Sequence, residues 1–252
     1  MRRSSMEGTS WYVPPYEVIM GRFSVKRLLH RDDPDDDFSW LYPPRNLHDP
    51  AAWDRYWNGF VSHGFGPGFH DMMAADPETT RVMAEMGIKT VLCAGSGISQ
   101  EPRALAEAGF EVTALDLSPL AMKLAQAWNF SPADLPRFLT PEQQKSTGSV
   151  RFIVGDLFDL AVCPRPFDMI IERRTLQNFP EEERGRALDA LIARLAKTGI
   201  FLSHCHDGRA RPDQEPFRPT RKLFAERGWT IWTLSSGQKP AGRSAWIDLT
   251  SG

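Results

Sequence analysis

Residues 91–118, VLCAGSGISQEPRALAEAGFEVTALDLS, carry the residue types and spacings with the clearest chemistry. An apolar run ends at Cys93, Gly95 and Gly97 follow in a turn, a helical pattern runs to Gly109, and a second apolar run ends on Asp116. Glycines let the backbone pass close to a ligand, and a loop that opens a helix turns its free N–H groups toward the same point. A carboxylate ending the next strand, about 20 residues on, is placed to accept hydrogen bonds from both hydroxyls of a ribose. The unit reads as a nucleoside-cofactor site.

Other candidate groups fall at comparable places. Asp156, in VGDLFDL, follows a later apolar run, where a carboxylate can accept from an adenine amino group while Leu157 packs on the ring; capping of a local turn is the alternative. Glu172, Arg173 and Arg174 follow the apolar run FDMII. Ligands of open α/β sheets bind beyond the carboxyl ends of strands, so the two arginines are candidates for a cofactor or substrate clamp. Arg174 has a second reading as an exposed partner of Glu181 to Glu183. His63 and His70 lie in a glycine-rich loop, and His204 and His206 follow another apolar run, all positions from which a proton acceptor or substrate contact can act. His204-Cys205-His206 invites a metal, but alternate residues of a strand face opposite sides and no further ligand cluster is near, so no metal site is expected. Trp53 and Trp57 are four apart on one helical face, a spacing that serves packing as readily as recognition.

The elements that must position these groups alternate. Strands are expected near 89–94, 111–115, 150–154, 167–171 and 199–203, with helices near 98–108, 119–128, 181–197 and 217–227. Asp49 can cap a helix starting at Pro50, and Asp76 a second one from about Pro77 to Met86. Strands alternating with helices argue for a parallel sheet covered on both faces. Residues 129–149, with three prolines and Gly148, read as an insertion. Two apolar runs close the chain, Trp229 to Leu234 and Ala245 to Leu249, and the stretch between them is short for a parallel crossover, so an antiparallel hairpin is expected. A parallel sheet ending in such a hairpin resembles the class I S-adenosylmethionine (SAM) methyltransferases. That resemblance implies an α/β, Rossmann-like sheet of seven strands, mostly parallel with the last antiparallel, and helices on both faces. Gln100 stands where a dinucleotide loop has its third glycine, which counts against a pyrophosphate; SAM has none. Cys93 stands where methyltransferases often carry an acid.

A narrower resemblance rests on WDRYWNG (Trp53, Trp57, Asn58, Gly59), the insertion, DLFDL, FDMIIER and PFRPTRKLF. Together these look like the thiopurine S-methyltransferase family, which includes thiol and halide methyltransferases, from about Asp49 to the C-terminus. The resemblance implies that Trp53, Trp57 and the loop through His63 cover SAM, and that Leu92, Gly95 and Gly97 line its methionine side. It further implies that Asp116 holds the ribose, that Leu117 beside it also contacts the cofactor, that Asp156 and Leu157 flank the adenine, and that Arg173 reaches the active site. The family's common Trp-Asp-Arg-Gly is Ile171-Glu172-Arg173-Arg174 here, so a guanidinium stands where a glycine gave room.

The expected activity is methyl transfer to a small molecule, with sulfur preferred. A thiolate needs little base help, whereas an oxygen or nitrogen acceptor needs a base, for which His63, His204 and Glu172 are candidates. A non-catalytic SAM-binding protein is the remaining class. The chain has 252 residues and a net charge of −2 without basic blocks, which argues against nucleic acid as a partner. Residues 1–48 are irregular, with an acidic cluster at 32–37 that reads as a solvated linker, and 49–252 form the methyltransferase domain. No apolar run is long enough for a bilayer, and three scattered cysteines suit a reducing compartment, so a cytoplasmic location is expected.

Overall fold

The computed structural model describes residues 43–62, 77–127, 148–206, 221–233 and 244–250. Seven strands form one sheet in the order β3-β2-β1-β4-β5-β7-β6: β1 (Thr90–Ala94), β2 (Glu111–Asp116), β3 (Ser149–Val154), β4 (Phe167–Arg173), β5 (Leu195–His206), β6 (Thr230–Thr233) and β7 (Ser244–Thr250). The expected α/β architecture is present. A central strand such as TVLCA is a near-continuous apolar run because helices cover both faces of the sheet.

The helices are α1 (Pro50–Ser62), α2 (Pro77–Glu85), α3 (Glu101–Glu107), α4 (Pro119–Ala127), α5 (Glu181–Ile192) and α6 (Arg221–Ala225). Met83 of α2 and Leu105 of α3 pack with Val91, Cys93, Met169 and Ile171 on one face of the sheet. Leu188 and Leu191 of α5 and Phe224 of α6 pack with Leu92, Ile170 and Phe201 on the other. Asp49 caps α1 as expected, its Oδ1 accepting from the Ala51 N–H at 2.9 Å.

Four elements depart from expectation. β7 is parallel to both of its neighbours, with Ile200 opposite Ser244, His204 opposite Asp248, Thr230 opposite Ser244 and Thr233 opposite Ile247. The antiparallel last strand is therefore corrected; connector length did not decide strand direction here. β5 begins at Leu195 rather than near 199, and α5 is correspondingly shorter. A register shift between Phe167 and Met169 absorbs the extra residues, and the Phe167 N–H donates to the Arg194 carbonyl at 2.8 Å. α3 begins at Glu101 rather than 98, because the glycine turn continues to Ser99, whose N–H donates to the Ser96 carbonyl at 3.1 Å. The Asp76 cap and most of the 129–149 insertion lie outside the described residues.

Candidate functional site

The chain leaves β1 toward β2 on one side, while β4 lies against β1 on the other. That change of direction makes the carboxyl ends of β1 and β4 the topological switch point, where open α/β sheets form a ligand crevice. The loop after β1 and the turn after β4 meet there. Gly95 and Gly97 have φ of +61° and +52°, in the left-handed region. A Cβ on Gly95 would collide with the Thr175 side chain, and one on Gly97 with the Trp57 indole. The glycines thus admit the protein's own side chains, a requirement in addition to any ligand approach. Thr175 Oγ1 also donates to the Ala94 carbonyl at 3.0 Å, tying the two strand ends together.

Asp116 ends β2 beside this loop and is buried. Its Oδ2 accepts from the Gly97 N–H at 2.8 Å and its Oδ1 from the Ser118 N–H at 2.9 Å. Burial pushes its carboxyl up to about 6, backbone N–H donation offsets part of that, and nearby Asp54 adds to the rise. Each oxygen keeps a further lone pair, so the carboxylate can still accept from a ligand. Asp54, on α1, accepts on Oδ1 from the Leu120 N–H at 3.0 Å and from the Ser118 hydroxyl. It thereby holds α1, with Trp57, against the start of α4. Nothing in the sequence around Asp54 points across to residues 118–120, although Ser118-Pro119 is itself a helix-start signal.

Arg173 sits on the α3 side of β4. Its Nη2 donates to Glu101 Oε1 at 2.7 Å, and the two side chains are 10% and 5% exposed. Glu101 was missed by sequence reasoning; an acid in the first turn of the helix that follows the glycine loop was the available signal. Cys93 lies near both charges, and burial, the larger influence, pushes its thiol well above the usual range, keeping it neutral. Arg173 Nη1, both polar atoms of the Gln100 carboxamide and Ser96 Oγ are buried without a hydrogen-bond partner. Such groups in native folds are matched by protein, water or ligand.

Glu172, a candidate base, is held by its own turn and by β5. It is fully buried, its Oε2 accepts from the Thr175 and Leu176 N–H groups at 3.0 and 3.1 Å, and its Oε1 accepts from the Ser203 hydroxyl. These bonds shape the β4 turn. That turn forces Arg174 to a φ of +60°, where a side chain costs about 1 kcal/mol. Glu183, one of the acids considered as a partner for Arg174, pairs with His48 at 2.9 Å.

Asp156 follows β3 next to Asp116, since the Gly155 N–H donates to the Asp116 carbonyl at 2.9 Å. Its Oδ1 accepts from the Phe158 N–H at 2.8 Å, the turn-capping alternative, and Leu157 is half-buried beside it. Arg194 holds this loop: Nη1 donates to the Leu157 carbonyl at 2.7 Å and Nη2 to the Asp159 carbonyl at 2.6 Å. Trp57 is buried over Gly97, while Trp53 is half-buried and its Nε1 donates to the Leu47 carbonyl at 2.9 Å. Leu117 lies between Asp116 and the α4 cap. Leu92 is fully buried within the sheet core rather than at the strand end. His204 is opposite Arg173 in the β4–β5 register; its side chain, like His63 and His70, lies outside the described residues. Among the described residues no cluster of His, Cys, Asp and Glu has a metal-binding arrangement, and no helix is long and apolar enough to cross a membrane.

Residues 50–238 match a family model described as thiopurine S-methyltransferase. No curated protein sequence matches the chain. Among solved structures, one described as "Conversion of a Disulfide Bond into a Thioacetal Group during Echinomycin Biosynthesis" is 25% identical, with a TM-score of 0.39, and the match covers 60% of this chain and 59% of that one. A TehB-like SAM-dependent methyltransferase from Corynebacterium glutamicum is 21% identical, with a TM-score of 0.36, over 60% of this chain and 68% of that one. The magnesium protoporphyrin IX methyltransferase from Synechocystis, with bound SAM, is 18% identical, with a TM-score of 0.43, over 87% of this chain and 88% of that one. At these TM-scores the likenesses carry no conclusion about substrate.

Proposed function

The chain belongs to the thiopurine S-methyltransferase family, and from that premise we propose that it transfers the methyl group of SAM to a small-molecule acceptor, with sulfur preferred over oxygen or nitrogen. The observation that carries this reading is the crevice at the ends of β1 and β4, where the glycine loop, Asp116 and the Arg173–Glu101 pair come together. SAM, when bound, supplies a methyl group on a sulfonium whose departure needs no acid.

In this reading Asp116 accepts from the ribose hydroxyls while Leu117 follows it along the nucleoside. Asp156 and Leu157 flank the adenine. Trp57 and Trp53, with the segment through His63, cover the cofactor and exclude water. Gly95 and Gly97 border the methionine part, and Arg173 approaches the reacting end. The chain's main contribution is to hold a nucleophile in line with the departing sulfur. Glu172 is committed to its turn, so an oxygen or nitrogen acceptor would need its base from His63 or His204. A thiolate needs none, which favours sulfur. Residues 49–252 are proposed as the methyltransferase domain and 1–48 as a segment outside it. Free, buried Cys93 and Cys163 fit a cytoplasmic location.

The test is to incubate the full chain with methyl-labelled SAM and separate thiol, phenol and amine acceptors. Labelled thioether is expected. Label in phenols or amines alone would move the chain to an O- or N-methyltransferase. Cofactor binding without turnover on any acceptor would make it a binding protein.

A further inference from the structure

One guanidinium ties down the loop that follows β3. Arg194, just past the carboxyl end of α5, is 3% exposed. Its own backbone is fixed: its N–H donates to the Leu191 carbonyl at 2.9 Å, and its carbonyl accepts from the Phe167 N–H at 2.8 Å. From that base Nη1 donates to the Leu157 carbonyl at 2.7 Å and the Ala190 carbonyl at 2.8 Å, and Nη2 to the Asp159 carbonyl at 2.6 Å. All three acceptors are neutral. A buried guanidinium that bonds no carboxylate bears its desolvation without a countercharge in contact, so stability alone is a poor account of it. What its bonds supply is position: two carbonyls of one loop are fastened to the end of a packed helix.

The loop's other polar bonds are mostly its own. The Phe158 N–H donates to Asp156 Oδ1 at 2.8 Å, the Asp159 N–H to the Asp156 carbonyl at 3.1 Å, and the Ala161 N–H to Asp159 Oδ1 at 3.0 Å. These shape the loop without placing it. Gly155, bonded to the Asp116 carbonyl, places its start, and Arg194 places the part beyond Asp156. Asp159 and Leu160 are exposed, so the far side of the loop has little packing of its own. A hydrogen bond to a ring amino group tolerates only a few tenths of an ångström, so a loop free to shift would lose it.

Resting on the SAM reading above, in which Asp156 accepts from the adenine amino group, we infer that Arg194 is a positioning residue for cofactor selectivity. By holding the Leu157 and Asp159 carbonyls it sets Asp156 where a 6-aminopurine is accepted and a 6-oxopurine is rejected.

Calorimetry with the full chain tests this by comparing S-adenosylhomocysteine with S-inosylhomocysteine, which carries a carbonyl oxygen in place of the adenine amino group. The wild type should prefer S-adenosylhomocysteine by about tenfold or more, the value of a well-placed hydrogen bond against an unmatched one. Arg194→Met keeps the apolar stem and should narrow that preference to within about threefold, chiefly by weakening S-adenosylhomocysteine. Should the methionine variant fail to fold, Arg194→Lys, which keeps the charge but cannot fork between two carbonyls, should narrow it in the same direction. A preference left unchanged, or equal weakening of both ligands as a purely structural role would give, would overturn the inference. Wild-type protein that binds both ligands equally would overturn the role of Asp156 and the inference with it. Wild-type protein that binds neither would overturn the SAM reading itself.

Discussion

Asp116 is the last residue of β2 and Glu172 the next-to-last of β4, the two strands that flank β1, and both are buried carboxylates that accept from two backbone N–H groups. Their partners separate them. Glu172 spends one oxygen on its own turn and the other on Ser203 of β5, so its bonds close a local structure. Asp116 gives one oxygen to the glycine loop of the next strand and the other to the turn into α4, and stays half-committed. A strand-end acid is thus identified by where its donors come from: its own turn, or the neighbouring ligand loop.

The largest effect should follow from removing Glu172. Glu172→Ala orphans three buried donors and should cost about 3–5 kcal/mol, or roughly 10 °C in melting temperature, with little change in cofactor affinity of the folded protein. A stable variant that loses turnover instead would return Glu172 to the role of base and erase the contrast.

Asp116 should respond to pH rather than to unfolding. Its carboxyl is raised to about 6, so it is ionised above that and protonated below. Ribose hydroxyls donate to the ionised form, and binding therefore favours loss of the proton. Affinity for S-adenosylhomocysteine should fall roughly tenfold between about pH 7 and pH 5, and Asp116→Asn should flatten that slope. Titration calorimetry at several pH values reads it, and a slope that persists in Asp116→Asn would assign the proton elsewhere.

These contrasts divide along what sequence can express. The glycine loop, Asp116 and the Asp49 cap were legible because strand ends, tight turns and caps are local signals. The cross-links were not: Asp54 to Ser118 and Leu120, Arg194 to the 157–159 loop, and Thr175 over Gly95 each join residues far apart in the chain. The hydrogen bonds of Glu172 were not legible either, because residue type and strand-end position are the same for a turn-former and a base. β7 was misread because a short connector fits more than one strand direction.

The smallest effect concerns Arg174, strained by the turn that Glu172 shapes. Arg174→Gly should relieve the positive φ and raise stability by about 1 kcal/mol, partly offset by the greater freedom of glycine in the unfolded chain. Chemical denaturation checks it, and a loss of stability would mean that the Arg174 side chain holds the turn.

The most direct measurement is calorimetric titration of S-adenosylhomocysteine into the wild-type chain and into Asp116→Ala. Saturable binding by the wild type, with affinity falling by roughly a hundredfold or more in a variant that remains folded, is the expected result. Absence of binding to the wild type, or equal binding by the two, would contradict the assignment of the β1–β4 crevice as a SAM site.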